Sequence, residues 1–103
     1  MSERFDYDIS DPVQFLEKAS KALQCDLERV KNCARISESD KLNRDILLYW
    51  LWQEGKYTNG QIGYLFGLTY SSVSRRVAII TKKMELDQNL KSQVGTIKSQ
   101  IKP

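Results

Sequence analysis

The sequence contains no histidine. That single absence removes Ser-His-Asp and Cys-His nucleophilic arrangements together with every histidine-based zinc site. There is no GxxxxGK[S/T] loop, so no P-loop for nucleotide phosphates is expected. The two cysteines, Cys25 and Cys33, cannot close a zinc site and are too few for a disulfide framework. They read as buried or half-buried thiols in a reducing compartment. Proline occurs only at positions 12 and 103, and strand signals are scarce. No apolar run approaches the roughly 18 residues a membrane span needs. The opening stretch MSERFDYDISDP is polar and acidic, unlike a signal peptide. These absences lead to the expectation of a cytoplasmic, non-enzymatic protein with no cofactor, no metal, no membrane partner and no small-molecule substrate.

What is present is enough for one packed domain. The chain has 103 residues, 41% of them apolar, so a core of modest size is expected rather than disorder. The net charge of +3 is unevenly spread. Residues 1–40 carry six basic and nine acidic side chains, whereas residues 41–103 carry ten basic and four acidic ones. A polyanion would bind the second, basic part. Residues 1–10 read as a flexible N-terminus and residues 11–103 as a single domain.

Apolar residues recur at helical spacing through most of the chain. Asp11-Pro12 reads as a cap followed by proline at the first helical position. The helix it starts runs to about Leu23, with Val13, Leu16, Ala19 and Leu23 on one stripe. Asp26 caps a short second helix carrying Leu27 and Val30. The polar run from Asn32 to Ser39 reads as a loop, and Ser37 or Ser39 caps a third helix. Leu42, Ile46, Leu47, Tyr49, Trp50 and Leu51 make that helix apolar nearly all round, which predicts the most buried element. Gly55 ends it. Thr58 and Gln61 form a T-x-x-Q capping box for a fourth helix through Phe66. Thr69 caps a fifth helix, with Val73, Val77, Ile80 and Met84 on one stripe. Asp87 caps a sixth, carrying Leu90, Val94, Ile97 and Ile101. The fold class predicted is all-α, with five to six helices.

The stretch QIGYLFGLTYSSVSRRV, residues 61–77, follows helix-turn-helix spacing, in a unit running from about residue 58 to residue 83. Ile62 and Phe66 face the core, and Gly63 is small where the next helix must pass close. Gly67 supplies the positive φ of a tight turn. Leu68 plugs the space beneath the turn, and Val73 and Val77 anchor the next helix. So short a turn makes the second helix project its N-terminal end outward. That end carries Thr69, Tyr70, Ser71, Ser72, Ser74, Arg75 and Arg76. Arginine can fork onto guanine, while Ser and Thr can bond bases or phosphates. A helix N-terminus also favours phosphate. Serines beside arginines are ordinary on a solvated helix face; here the glycines, anchors and capping box agree with the polar face. Tyr70 could pack on a sugar or thymine methyl, or lie over the turn. Trp50 and Trp52 read as core or partly buried packing rather than base-stacking platforms. Lys82 and Lys83 lie far along the helix, where they could at most brush phosphate.

From Val13 to Ile101 the order of elements resembles the C-terminal DNA-binding domain of the bacterial replication initiator DnaA. It is at least as similar to the DnaA-like domain appended to some single-tyrosine transposases associated with repetitive palindromic elements. The residues that carry the resemblance are Gln61-Ile62-Gly63, Leu65-Phe66-Gly67 and Ser71-Ser72-Val73. It implies a Trp-repressor-like helical fold that binds double-stranded DNA, hence a nucleoid-associated location. The family enters its recognition helix through Gly-Gly-Arg-Asp-His-Thr-Thr-Val. This chain reads Gly67-Leu68-Thr69-Tyr70-Ser71-Ser72-Val73, one residue shorter. Thr69 and Tyr70 stand at the family's base-reading Asp and His, and Ser71 and Ser72 at its two threonines. The resemblance also implies an upstream basic loop that enters the minor groove or grips phosphate. Arg44 aligns with that loop's last arginine, Leu42 replaces its neighbour, and Arg35 and Lys41 supply charge nearby. Thr58, at the start of the fourth helix, joins the candidate DNA-contacting set. The transposases' histidine-dependent catalytic domain has no counterpart in this chain.

Two rival functions stay open at this stage. An interaction domain could use a helix-turn-helix as a docking module, with the acidic N-terminal part as its contact face, and a stand-alone regulator would look the same. The sixth helix could pack on the domain or pair weakly with a second copy, although two heptads are short for a zipper.

Overall fold

The structure, a computed structural model, describes residues 12–31 and 36–101. Among the described residues six helices follow one another: α1 Pro12–Leu23, α2 Leu27–Lys31, α3 Glu38–Glu54, α4 Asn59–Phe66, α5 Tyr70–Leu86 and α6 Gln88–Ile101. The protein is all-α, as its apolar spacing predicts. Asp11, Cys33, Arg35 and the flexible N-terminus expected over residues 1–10 lie outside the described residues. No helix of the described residues is long and apolar enough to cross a membrane.

Local chemistry sets most boundaries. Ser37, not Ser39, caps α3, accepting from the Asp40 N–H at 3.1 Å. Helix α3 therefore begins before the polar run ends, and Ser39 lies within its first turn. Gly55 closes α3 at φ 73°. Asp26 accepts from the Glu28 and Arg29 N–H groups at the start of α2. Asp87 accepts from the Leu90 N–H at 3.1 Å at the start of α6. Each such bond satisfies an otherwise orphaned helix donor.

Helix α1 ends less comfortably. Gln24 adopts φ 59°, the only described non-glycine residue with positive φ, and its N–H reaches the Lys21 carbonyl at 3.0 Å. A side chain in this left-handed region costs about 1–2 kcal/mol, and Gln24 is exposed. Gln24→Gly should stabilise the fold by about 0.5–1 kcal/mol after the added freedom of the unfolded chain is subtracted. A urea midpoint shifted upward checks this, and a downward shift would contradict it.

Helix α3 is the axle of the fold. Every residue from Arg44 to Leu48 is buried, as are Trp50 and Leu51, and α1, α2, α4 and α5 all pack against it. An amphipathic helix would leave one side wet; this one is enclosed because four neighbours surround it. Helix α5 lies on α3 and α4 through Val73, Val77 and Ile80. Helix α6 packs on α1 and α5, burying Val94 and Ile101 with Leu90 and Ile97 half-covered. Its apolar stripe is thus spent within the chain. Two apolar residues depart from expectation. Val13 is 45% exposed and Trp52 46%, the first because Phe15 and Leu16 take the inward positions of α1.

Candidate nucleic-acid interface

The site is built on α4, the turn and α5. Thr58 and Gln61 form a reciprocal capping box: Gln61 N–H donates to Thr58 Oγ1 at 3.0 Å and Thr58 N–H to Gln61 Oε1 at 2.8 Å. Gly67 ends α4 at φ 69°, and the Leu68 N–H returns to the Gly63 carbonyl at 2.8 Å. Gly63 sits so close to this turn that a Cβ there would collide with the Leu68 carbonyl oxygen and press on Val73. Thr69 then caps α5, accepting from the Ser72 N–H at 3.1 Å. Its hydroxyl also donates to Ser72 Oγ at 3.1 Å. Thr69 and Ser72 therefore spend their polar groups locally on starting α5.

The first two turns of α5 leave a mixed hydroxyl and cationic face open. Ser71, Ser74 and Arg75 are exposed, and their side chains make no hydrogen bond or ion pair with the described residues. Tyr70, at the first position of the helix, is 64% exposed. None of these residues is covered by α6.

The other expected contacts fall elsewhere. Arg76 turns inward, donating from a terminal nitrogen to Asp45 Oδ2 at 3.0 Å. Arg44, with its side chain 7% exposed, donates to Asp45 Oδ1 through Nε and a terminal nitrogen, both at 3.3 Å. One buried carboxylate thus sits between two guanidinium groups and ties α3 to α5. Arg44 and Arg76 belong to the interior joint between these helices, not to the open face, because a carboxylate enclosed at that joint demands positive partners. Lys41 is exposed on the first turn of α3 beside Glu38 at 3.5 Å. Thr58 is exposed, but its hydroxyl is used in the cap. Arg35 lies outside the described residues.

Asp45 was missed by sequence reasoning. The available signal was an acidic residue inside the apolar run from Leu42 to Leu51, which an enclosed helix tolerates only beside cations. Trp52 was also missed as a surface feature. It abuts Tyr49, ring centroids 6.0 Å apart, and borders a groove running along α5. Burial, then the nearby carboxylates of Asp40 and Asp26, push the Cys25 thiol up, with Arg29 opposing. A thiol held protonated is a poor nucleophile.

No protein-family model and no curated protein matches this chain.

Proposed function

We propose that this domain binds double-stranded DNA by laying the first two turns of α5 in the major groove, with α4 and the Gly67 turn forming the other arm of a helix-turn-helix. One observation carries the reading: Tyr70, Ser71, Ser74 and Arg75 form a continuous exposed face at the N-terminal end of a 17-residue helix whose opposite side is core. An isolated α-helix end with hydroxyls and a guanidinium suits base edges and phosphates. The resemblance to the DnaA C-terminal domain supports the same partner, and with it a role as the DNA-targeting module of an initiator- or transposase-related protein.

Arg75 is the side chain to test. It touches nothing that the fold needs, so its removal reports on binding alone, whereas removing Arg76 would also disturb Asp45. Selection from a random duplex pool should yield a preferred site. Arg75→Ala should weaken that site by about 1–3 kcal/mol and relax selection at one base pair. If Arg75 instead holds a phosphate, all sequences weaken alike and the salt slope falls by about one. Unchanged affinity in the variant, with the fold intact by circular dichroism, would remove the reading.

A further inference from the structure

We infer that the groove between Trp52 and α5 receives the sugar–phosphate backbone of one DNA strand, making Trp52 a sequence-independent clamp beside the base-reading face. The inference rests on the DNA-binding reading above and adds a second contact to it. The groove encloses about 350 Å³ and is lined by Trp52, Asn59, Ser74, Val77, Ala78, Thr81, Lys82 and Glu85. Ser74 belongs both to this groove and to the open face of α5, so the two surfaces are continuous.

Dimensions decide what enters. A helix with its side chains is about 10–12 Å across, and the major groove of B-form DNA is about 12 Å wide. A helix seated there is flanked by both backbones, so whatever lines its flank meets deoxyribose and phosphate. The flank of α5 on the α3 and α4 side is this groove. Its apolar lining of indole, Val77 and Ala78 matches the apolar face of a deoxyribose. Its polar lining, Asn59, Ser74 and Lys82, offers an amide, a hydroxyl and an ammonium that match phosphate oxygens. Glu85 repels phosphate, so the backbone must leave the groove before reaching that end. Tyr49, which is not part of the groove lining, holds the indole through the ring contact at 6.0 Å.

The protein carries its own probe. Trp50 is fully buried and Trp52 is 46% exposed, so acrylamide quenching of tryptophan emission reports Trp52. Binding of a labelled duplex is followed by anisotropy on the same full-length chain. Saturating duplex should cut the acrylamide quenching of wild-type protein severalfold. Trp52→Ala should weaken selected and random duplexes alike, by about tenfold, leaving their ratio unchanged, whereas Arg75→Ala changes that ratio if Arg75 reads a base. Duplex binding with quenching unaltered would overturn the clamp and leave the DNA-binding reading standing. A Trp52→Ala variant that binds as tightly as wild type would do the same. Absence of duplex binding at low salt would overturn both.

Discussion

Asp45→Ala is expected to destabilise the domain by about 3–5 kcal/mol, the range for removing one partner from a buried ion pair. The carboxylate is enclosed, 5% exposed, and both its oxygens are occupied, one by Arg44 and the other by Arg76. Removing it leaves two guanidinium groups facing each other across the joint between α3 and α5. Arg44 has almost no water to turn to, since its side chain is 7% exposed, and Arg76 has some at 30%. Arg76 Nε is already buried without a partner among the described residues, so losing the carboxylate adds to a polar deficit already present there. Domains of this kind are stable by only about 5–15 kcal/mol, so the loss is a large fraction of the whole. Arg76→Ala should cost less, because Arg44 still neutralises Asp45 and Arg76 is the better solvated partner. The check is a pair of urea denaturation curves followed by circular dichroism. An Asp45→Ala midpoint equal to that of Arg76→Ala would contradict the ordering.

Much of this architecture was legible because its punctuation is local chemistry. The capping box of Thr58 and Gln61, the left-handed glycines 55 and 67, and the caps at Thr69 and Asp87 all act within four residues of themselves. Their spacing alone carries the information. The stripe of Val73, Val77 and Ile80 likewise fixes which side of α5 is covered, and therefore that Ser71, Ser74 and Arg75 face away. What was not legible depends on partners far along the chain. Arg75 and Arg76 are equivalent in composition, but Arg76 lies three residues from Val73 on the covered side, and its partner Asp45 is 31 positions away. Arg44 belongs in the same category: the resemblance to DnaA points it at DNA, whereas the enclosure of α3 by four helices turns it onto its neighbour Asp45. Trp52 fails for a different reason. Apolar identity says that a side chain is welcome inside, not that a place is kept for it, and the last turn of α3 runs beyond the core. The groove beside it arises from three helices meeting, which no single stretch of sequence encodes.

Gly63→Ala should destabilise the domain although it adds only one methyl group. Alanine is ordinarily the better helix former, by about 1 kcal/mol over glycine, so propensity alone predicts a gain. Packing reverses the sign. The added Cβ would collide with the backbone carbonyl oxygen of Leu68 and stand 3.2 Å from Val73 Cγ2. Backbone cannot swing aside as a side-chain tip can, and this backbone is held by the Leu68 N–H bond to the Gly63 carbonyl at 2.8 Å. Relief requires α5 to move away from α4, which breaks the turn and draws Val73 out of the core. Overpacking of this kind costs about 3 kcal/mol, well beyond the helix-propensity gain. Gly95 supplies the control, because a Cβ there meets nothing within 4 Å and Gly95→Ala should stabilise α6 by about 1 kcal/mol. Opposite signs for the two glycine-to-alanine changes, measured as urea midpoints, are the expected result. If the Gly63→Ala midpoint also rises, α4 and the turn into α5 do not approach as closely as the Gly63 contacts with Leu68 and Val73 require. Under the proposed DNA-binding reading, and because Gly63 lies beneath the turn rather than on the open face, the variant should lose duplex binding only in proportion to its loss of folded protein.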